Sequence, residues 1–304
     1  MHLGKPGDSI EAFSRYLDMT IPELMARYAV PGVVLVVAII TAALLLIAAR
    51  QNRWQTGCIV RKLAEAASPV DFRQDDLEQM EGLPDPVLRY FRHVFLAGAE
   101  PASMMTIHQR GKLRIDPSAR RWSPFSATYY VTENPAGFVW DARIRIAPMM
   151  HFQVRDVFVD GVGAGAVHLL SAIPLGHDKD KPELNSGALY RYLAEAVWHP
   201  AALLPQSGVI WRAMDEAHAM ATLTVAGITV SLEFRFNRLG EIIGVYTEER
   251  FGRFDGQYKK YPWEGHFSHY RKIGGVRIPL YGEVGWHLPE GWWLFWKGEI
   301  VISR

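Results

Sequence analysis

Arg191, Glu195 and His199 follow one another at four-residue spacing through an otherwise apolar segment, Leu189-Tyr-Arg-Tyr-Leu-Ala-Glu-Ala-Val-Trp-His199. On a helix such residues share one face. Leu189, Tyr192, Leu193, Ala196 and Val197 make a broad apolar stripe, so the helix is expected to be largely buried. A charged pair inside it is costly unless other groups satisfy it. Arg191 and Glu195 therefore mark either a structural clamp on the rest of the fold or a polar point inside a cavity.

Other chemistry finds less support. Glu195 and His199 could share a metal ion, but the spacing names no third ligand, and His266 and His269, three apart on an expected strand, point to opposite faces. No metal and no cofactor is expected. Gly161-Val-Gly163-Ala-Gly165-Ala166 fits the dinucleotide fingerprint, yet Pro174 cuts the segment that should become its helix, and no β-α alternation surrounds it. It reads as a flexible Gly/Ala turn. No nucleophile elbow, zinc-protease motif or phosphate loop is present. The carboxylate pairs Glu248-Glu249 and Asp156 with Asp160 read as solvated strand ends. An enzyme would need Asp141, Arg143, Arg191, Glu195 and His199 to converge on one pocket, and that question stays open in the sequence.

The elements around these residues are legible from periodicity. From Met104 the apolar period changes from 3.6 to 2. Ile107 and Leu113 alternate with His108, Arg110 and Lys112; Phe138, Trp140, Ala142 and Ile144 alternate with Asp141, Arg143 and Arg145. Ile228 to Phe236 alternate in the same way, and a turn through Asn237–Gly240 leads into 241–250 as a hairpin. Further strands are expected at 152–160, 219–226, 264–271, 276–288 and 292–303. One helix, 186–199, interrupts them and stops before Pro200. One-faced strands of this kind belong to an antiparallel sheet with one wet side.

Ahead of them, residues 29–49 carry no charge and end at Arg50. About 20 apolar residues suffice to cross a bilayer, so this is expected to be a single membrane span. It begins too late and runs too long for a signal peptide, and Cys58 lacks the box of a lipoprotein anchor. Lys and Arg near the span number four on the C-terminal side and three on the other, which points the C-terminal domain to the cytoplasmic face of the cell membrane. Residues 1–28 form a tail with a short helix over 9–17, and 50–100 a helical collar with pieces at 54–67, 71–80 and 85–95. Residues 101–304 form the β domain. A net charge of +1 offers no case for nucleic acid, and one cysteine leaves no disulfide framework.

Four segments resemble a family of uncharacterised bacterial proteins. They are Leu83-Pro-Asp-Pro-Val-Leu-Arg-Tyr-Phe-Arg92, Gly137-Phe-Val-Trp-Asp-Ala-Arg143, Arg191-Tyr-Leu-Ala-Glu-Ala-Val-Trp198 with Pro200-Ala-Ala-Leu-Leu-Pro205, and Pro262-Trp-Glu-Gly265. The likeness covers about residues 80–300. It implies an N-terminal membrane helix and transfers no catalytic residue; the 28-residue tail is a departure. The architecture is also similar, more loosely, to the half-barrels of bacterial lipoprotein carriers.

The expected fold is α+β: an N-terminal transmembrane helix, then a curved, half-barrel-like antiparallel sheet covered by one buried helix, with 83–96 closing one end. The expected function is binding of a lipid or other apolar ligand beside the membrane, by Phe138, Trp140, Phe234, Phe236, Arg191, Glu195 and His199. The bilayer and that ligand are the expected partners. The alternative is a structural or interaction module with an exposed surface at Gly291–Trp296.

Overall fold

In a computed structural model the chain is described over residues 20–72, 80, 82–96 and 102–302, the side chains of 23–24 and 26–28 excepted. The expected helix over 9–17, and all but the ends of that over 71–80, lie outside the described residues.

Helix α1 (Ile21–Ala66) runs 46 residues without a break across residue 50, a length of about 69 Å. From residue 29 to residue 49 it is apolar on every side, and only 6% of its most apolar stretch is covered by the rest of the chain, so it is not a core helix. The single hydroxyl of residues 29–49, that of Thr41, donates to the Val37 carbonyl at 2.8 Å and so remains satisfied without water. Among the described residues this is the one helix long and apolar enough to cross a membrane. The second half changes character and docks on the domain. Asn52 Nδ2 donates to Gln153 Oε1 at 2.8 Å and to the Ser171 carbonyl at 3.1 Å. Arg155 donates to Asn52 Oδ1 at 3.0 Å and Thr56 Oγ1 at 2.8 Å. Leu63 packs on Val139 and Val157.

Helix α2 (Asp85–Val94) starts with proline in its first turn, where the missing N–H costs nothing. It buries Val87, Tyr90, Phe91 and Val94.

The domain itself is one antiparallel sheet of thirteen strands. They are β1 (Met104–Leu113), β2 (Ser123–Glu133), β3 (Ala136–Ala147), β4 (Met150–Val159), β5 (Val162–Leu169), β6 (Ile173–Lys179), β7 (Ile210–Ala213), β8 (His218–Val225), β9 (Ile228–Phe236), β10 (Ile242–Phe254), β11 (Gln257–Ile273), β12 (Val276–Leu288) and β13 (Gly291–Val301). Their order is β6-β5-β4-β3-β2-β1-β13-β12-β11-β10-β9-β8-β7, two meanders joined where the last strand pairs with the first. The sheet curls into a half-barrel far enough for edge strand β6 to meet β10 and β11: Asp178 accepts hydrogen bonds from Arg253 and from the Tyr258 hydroxyl.

Helix α3 (Pro182–Glu195) crosses the concave face and buries Leu189, Tyr192, Leu193 and Ala194. Leu189 and Leu193 each contribute about 1.5–3 kcal/mol on leaving water. The expected helix over 186–199 starts earlier and ends sooner, because the chain tightens into 3₁₀ turns at Ala196–Trp198 and Pro200–Leu203. The expected Gly/Ala turn is also corrected. Only Asp160–Gly161 is turn, and 162–169 is strand β5. Gly163 is required by packing: a Cβ there would lie 2.9 Å from the Leu184 carbonyl oxygen of α3, and its N–H donates to Asn185 Oδ1 at 2.7 Å.

Candidate functional site

Between α3 and the concave face lies a cavity of about 710 Å³. Its wall follows from strand alternation. Ile144 pairs with Phe152, Ala142 with Val154 and Trp140 with Asp156, and paired residues share a face. From the opposite arm Trp263, Trp286, Trp293, Phe295 and Trp296 close around it.

A charged group is set into this aromatic wall. Arg191 of α3 donates from Nε to Glu195 Oε1 at 2.9 Å and from Nη1 to Asp156 Oδ2 at 2.7 Å. Its guanidinium carbon sits 4.7 Å from the Trp140 ring centre and 5.3 Å from that of Phe138, a cation–π cradle. Burial works against the Arg191 charge, but Glu195 and Asp156 outweigh it and raise its pKa, so the cation persists. Burial raises both carboxyls, and the neighbouring arginines oppose that. The Asp156 side chain keeps 40% of its surface accessible, because that surface lines the cavity. Glu195 Oε2 has no hydrogen-bond partner, and the Tyr129 hydroxyl that faces it makes no well-formed bond either.

A second guanidinium, Arg250 of β10, lies 4.6 Å from the Trp263 ring centre and 5.0 Å from that of Trp286. It donates to the Gly187 carbonyl at 3.1 Å and leaves Nε unpartnered. Burial, with the nearby Arg191 charge, lowers its pKa to about 10, still protonated at neutral pH. Arg191 is thus occupied by its own carboxylates, whereas Arg250, with one hydrogen bond to a backbone carbonyl, is the less satisfied cation in the cavity wall. Such an arrangement can orient the polar end of a largely apolar molecule.

Phe138, Trp140, Arg191 and Glu195 come together in this cavity. The other three expected site residues do not. Phe234 and Phe236 are core: Phe234 packs against Trp211 at 5.2 Å, and Phe236 against Trp211 at 6.3 Å and Tyr90 of α2 at 6.0 Å. The reason is that α2 fills that end of the half-barrel. His199 lies past the end of α3, where the 3₁₀ turn swings it between Tyr129 and Tyr192.

The five residues an enzyme reading required do not converge. Asp141 and Arg143 face a separate groove on the outer side of the sheet, Arg191 and Glu195 the cavity, and His199 neither. The reading of Asp156 as a solvated strand end is corrected too. Phe152, Val154, Asp156 and Phe158 alternate on the concave face, and an acidic residue within that series was the available signal. Arg250 had none, because a register shift between Thr247 and Arg250 breaks the alternation of β10. The expected exposed surface at Gly291–Trp296 reduces to Trp292 among its aromatics, which is 42% exposed and packs at a tilt against His287, ring centres 4.7 Å apart; Trp293, Phe295 and Trp296 line the cavity.

No curated protein matches the chain. One solved structure, an outer membrane lipoprotein-sorting protein domain from Vibrio parahaemolyticus, is similar over 66% of this chain and 83% of its own, at 10% identity and a TM-score of 0.35. Residues 73–298 match DUF6544, described as a family of unknown function, and the chain belongs to that family.

Proposed function

We propose that the chain is a membrane-tethered binding protein whose half-barrel holds a lipid or other apolar ligand in the cavity beneath α3. The observation that carries this reading is an aromatic-walled space of about 710 Å³ with a buried, only partly satisfied arginine in its wall. Small-molecule sites occupy roughly 300–1,000 Å³, are mostly apolar, and fix orientation through a few polar groups. The ligand class this favours is an amphiphile, its apolar body against Trp140, Trp286 and Phe295 and an acceptor group near Arg250. In this reading the apolar half of α1 is a single membrane span that keeps the domain within reach of its ligand. The charge balance around residues 29–49 favours the cytoplasmic face.

The test is extraction of the full chain in mild detergent, followed by mass spectrometry of co-purifying lipid. Wild-type protein should carry a bound amphiphile. Ala188→Trp, which fills the cavity without adding charge, should lose it while retaining the fold. Recovery of wild type without any lipid, and no uptake of a fluorescent fatty acid, would sink the proposal.

A further inference from the structure

A second pocket, of about 380 Å³, opens on the outer face of the sheet beside the root of α1. Arg53 of α1, Arg110 of β1 and Arg143 of β3 line it together with the hydroxyls of Ser126 and Thr128. Strand register makes this a built row, since Arg110 pairs with Ser126 and Ser126 with Arg143. The acidic side chain in the lining, Asp141, already accepts a hydrogen bond from Gln153 at 2.7 Å. None of the three guanidiniums makes a hydrogen bond or ion pair with a described residue, so all their donors are free.

The height of this pocket along α1 is the second observation. The uncharged run of 21 residues, 29–49, spans about 32 Å, close to the thickness of a bilayer's hydrocarbon core. Arg53 stands four residues beyond it, about 6 Å, which is the depth of the headgroup layer. The neighbouring hairpin tips agree. Asn52 bonds to Gln153 and Ser171, and beyond these, at the same end of the sheet, Met149 is 96% exposed while Ile173 and Leu175 are also exposed. Apolar tips below a basic row are the order of a bilayer surface.

We infer that this pocket holds the phosphate of an anionic phospholipid headgroup, seating the domain on the membrane. The inference rests on the membrane placement of α1 and not on the inner cavity. Its test uses the full chain in nanodiscs of phosphatidylcholine containing phosphatidylglycerol, with retained lipid read by native mass spectrometry. Phosphatidylglycerol should be retained over phosphatidylcholine, and Arg110→Gln/Arg143→Gln should reduce the preference about twenty-fivefold, at roughly fivefold for each cation removed. The charge-matched pair Arg212→Gln/Arg238→Gln, at the other end of the sheet, should leave it unchanged. Equal loss in both double variants would reduce the effect to net charge and overturn the site. So would unaltered retention in the first pair. Inorganic phosphate bound in phosphatidylcholine discs, without lipid preference, would reassign the pocket to a free anion. A chain that does not enter the discs would overturn the membrane placement and this inference together, leaving the inner cavity to its own test.

Discussion

Arg191 Nη1 lies 2.7 Å from Asp156 Oδ2, joining the one long helix of the β domain to the fourth strand across the wall of the cavity. The same guanidinium holds Glu195, so one cation pairs with two carboxylates in an apolar setting, with the Arg250 charge nearby. Loss of the cation would leave both carboxyls buried and facing each other's charge. Arg191→Met should destabilise the domain by about 3–5 kcal/mol, read by chemical unfolding followed through tryptophan fluorescence. The triple change Arg191→Met/Asp156→Leu/Glu195→Leu should recover most of that. No recovery would mean that the cluster specifies the fold through contacts other than charge.

His199 is fully buried, with neither ring nitrogen bonded, and burial lowers its pKa to about 3. The unfolded chain takes up a proton below about pH 6.5, whereas the folded chain does so only near pH 3. Stability is therefore lost as pH falls through that interval. His199→Phe should raise the melting temperature at pH 4.5 more than at pH 7.5. An equal shift at both values would show that the proton is irrelevant and that the gain is packing alone.

Glu133, at the end of β2, shows the opposite sign. Burial raises its carboxyl to about 8, so between the ordinary carboxylate range and pH 8 the unfolded chain ionises while the folded chain keeps its proton. Its contribution declines as pH rises through that window and is constant above it. Glu133→Gln should thus stabilise the protein at pH 8.5 and change little at pH 4. Melting curves in detergent at the two values decide it.

The root of α1 is held by polar contacts in which Asn52 takes part both as donor and as acceptor. Asn52→Leu should strand Arg155 and Gln153 and cost about 1–3 kcal/mol. Amide hydrogen exchange should then quicken in β4 and at the β5–β6 turn while the far arm, β7 to β10, stays protected. Uniform quickening across the sheet would mean that the helix root supports the whole domain.

Much of this architecture was legible before any tertiary contact was known. The alternation through Ile107, Trp140, Ile144 and Leu232 placed nine strands, because a one-faced sheet writes its burial into every second residue. Four strands escaped. In β5 (Val162–Leu169), small residues and glycines give too little contrast between faces. At edge strand β6 (Ile173–Lys179), nearly every residue is exposed, and β7 is only four residues long. In β2, Tyr129 and Tyr130 point to opposite faces, so the aromatic pair obscures the period. Within the site, Phe138, Trp140, Arg191 and Glu195 could be named from spacing. Asp156 and Arg250 come from strands far from α3 in sequence.

What the sequence by itself determined was local: the charge-free run at 29–49, the alternating strands, and a buried helix carrying an arginine and a glutamate. These depend on composition and period within a few turns or strands. Tertiary structure alone decided which aromatic residues became cavity and which became core. Trp140 and Phe236 have the same pattern and face the same concave surface, yet α2 packs against Phe236 at one end of the half-barrel while Trp140 lines the cavity at the other. That difference arises from where a ten-residue helix docks across the sheet, a relation between distant segments that no local period encodes.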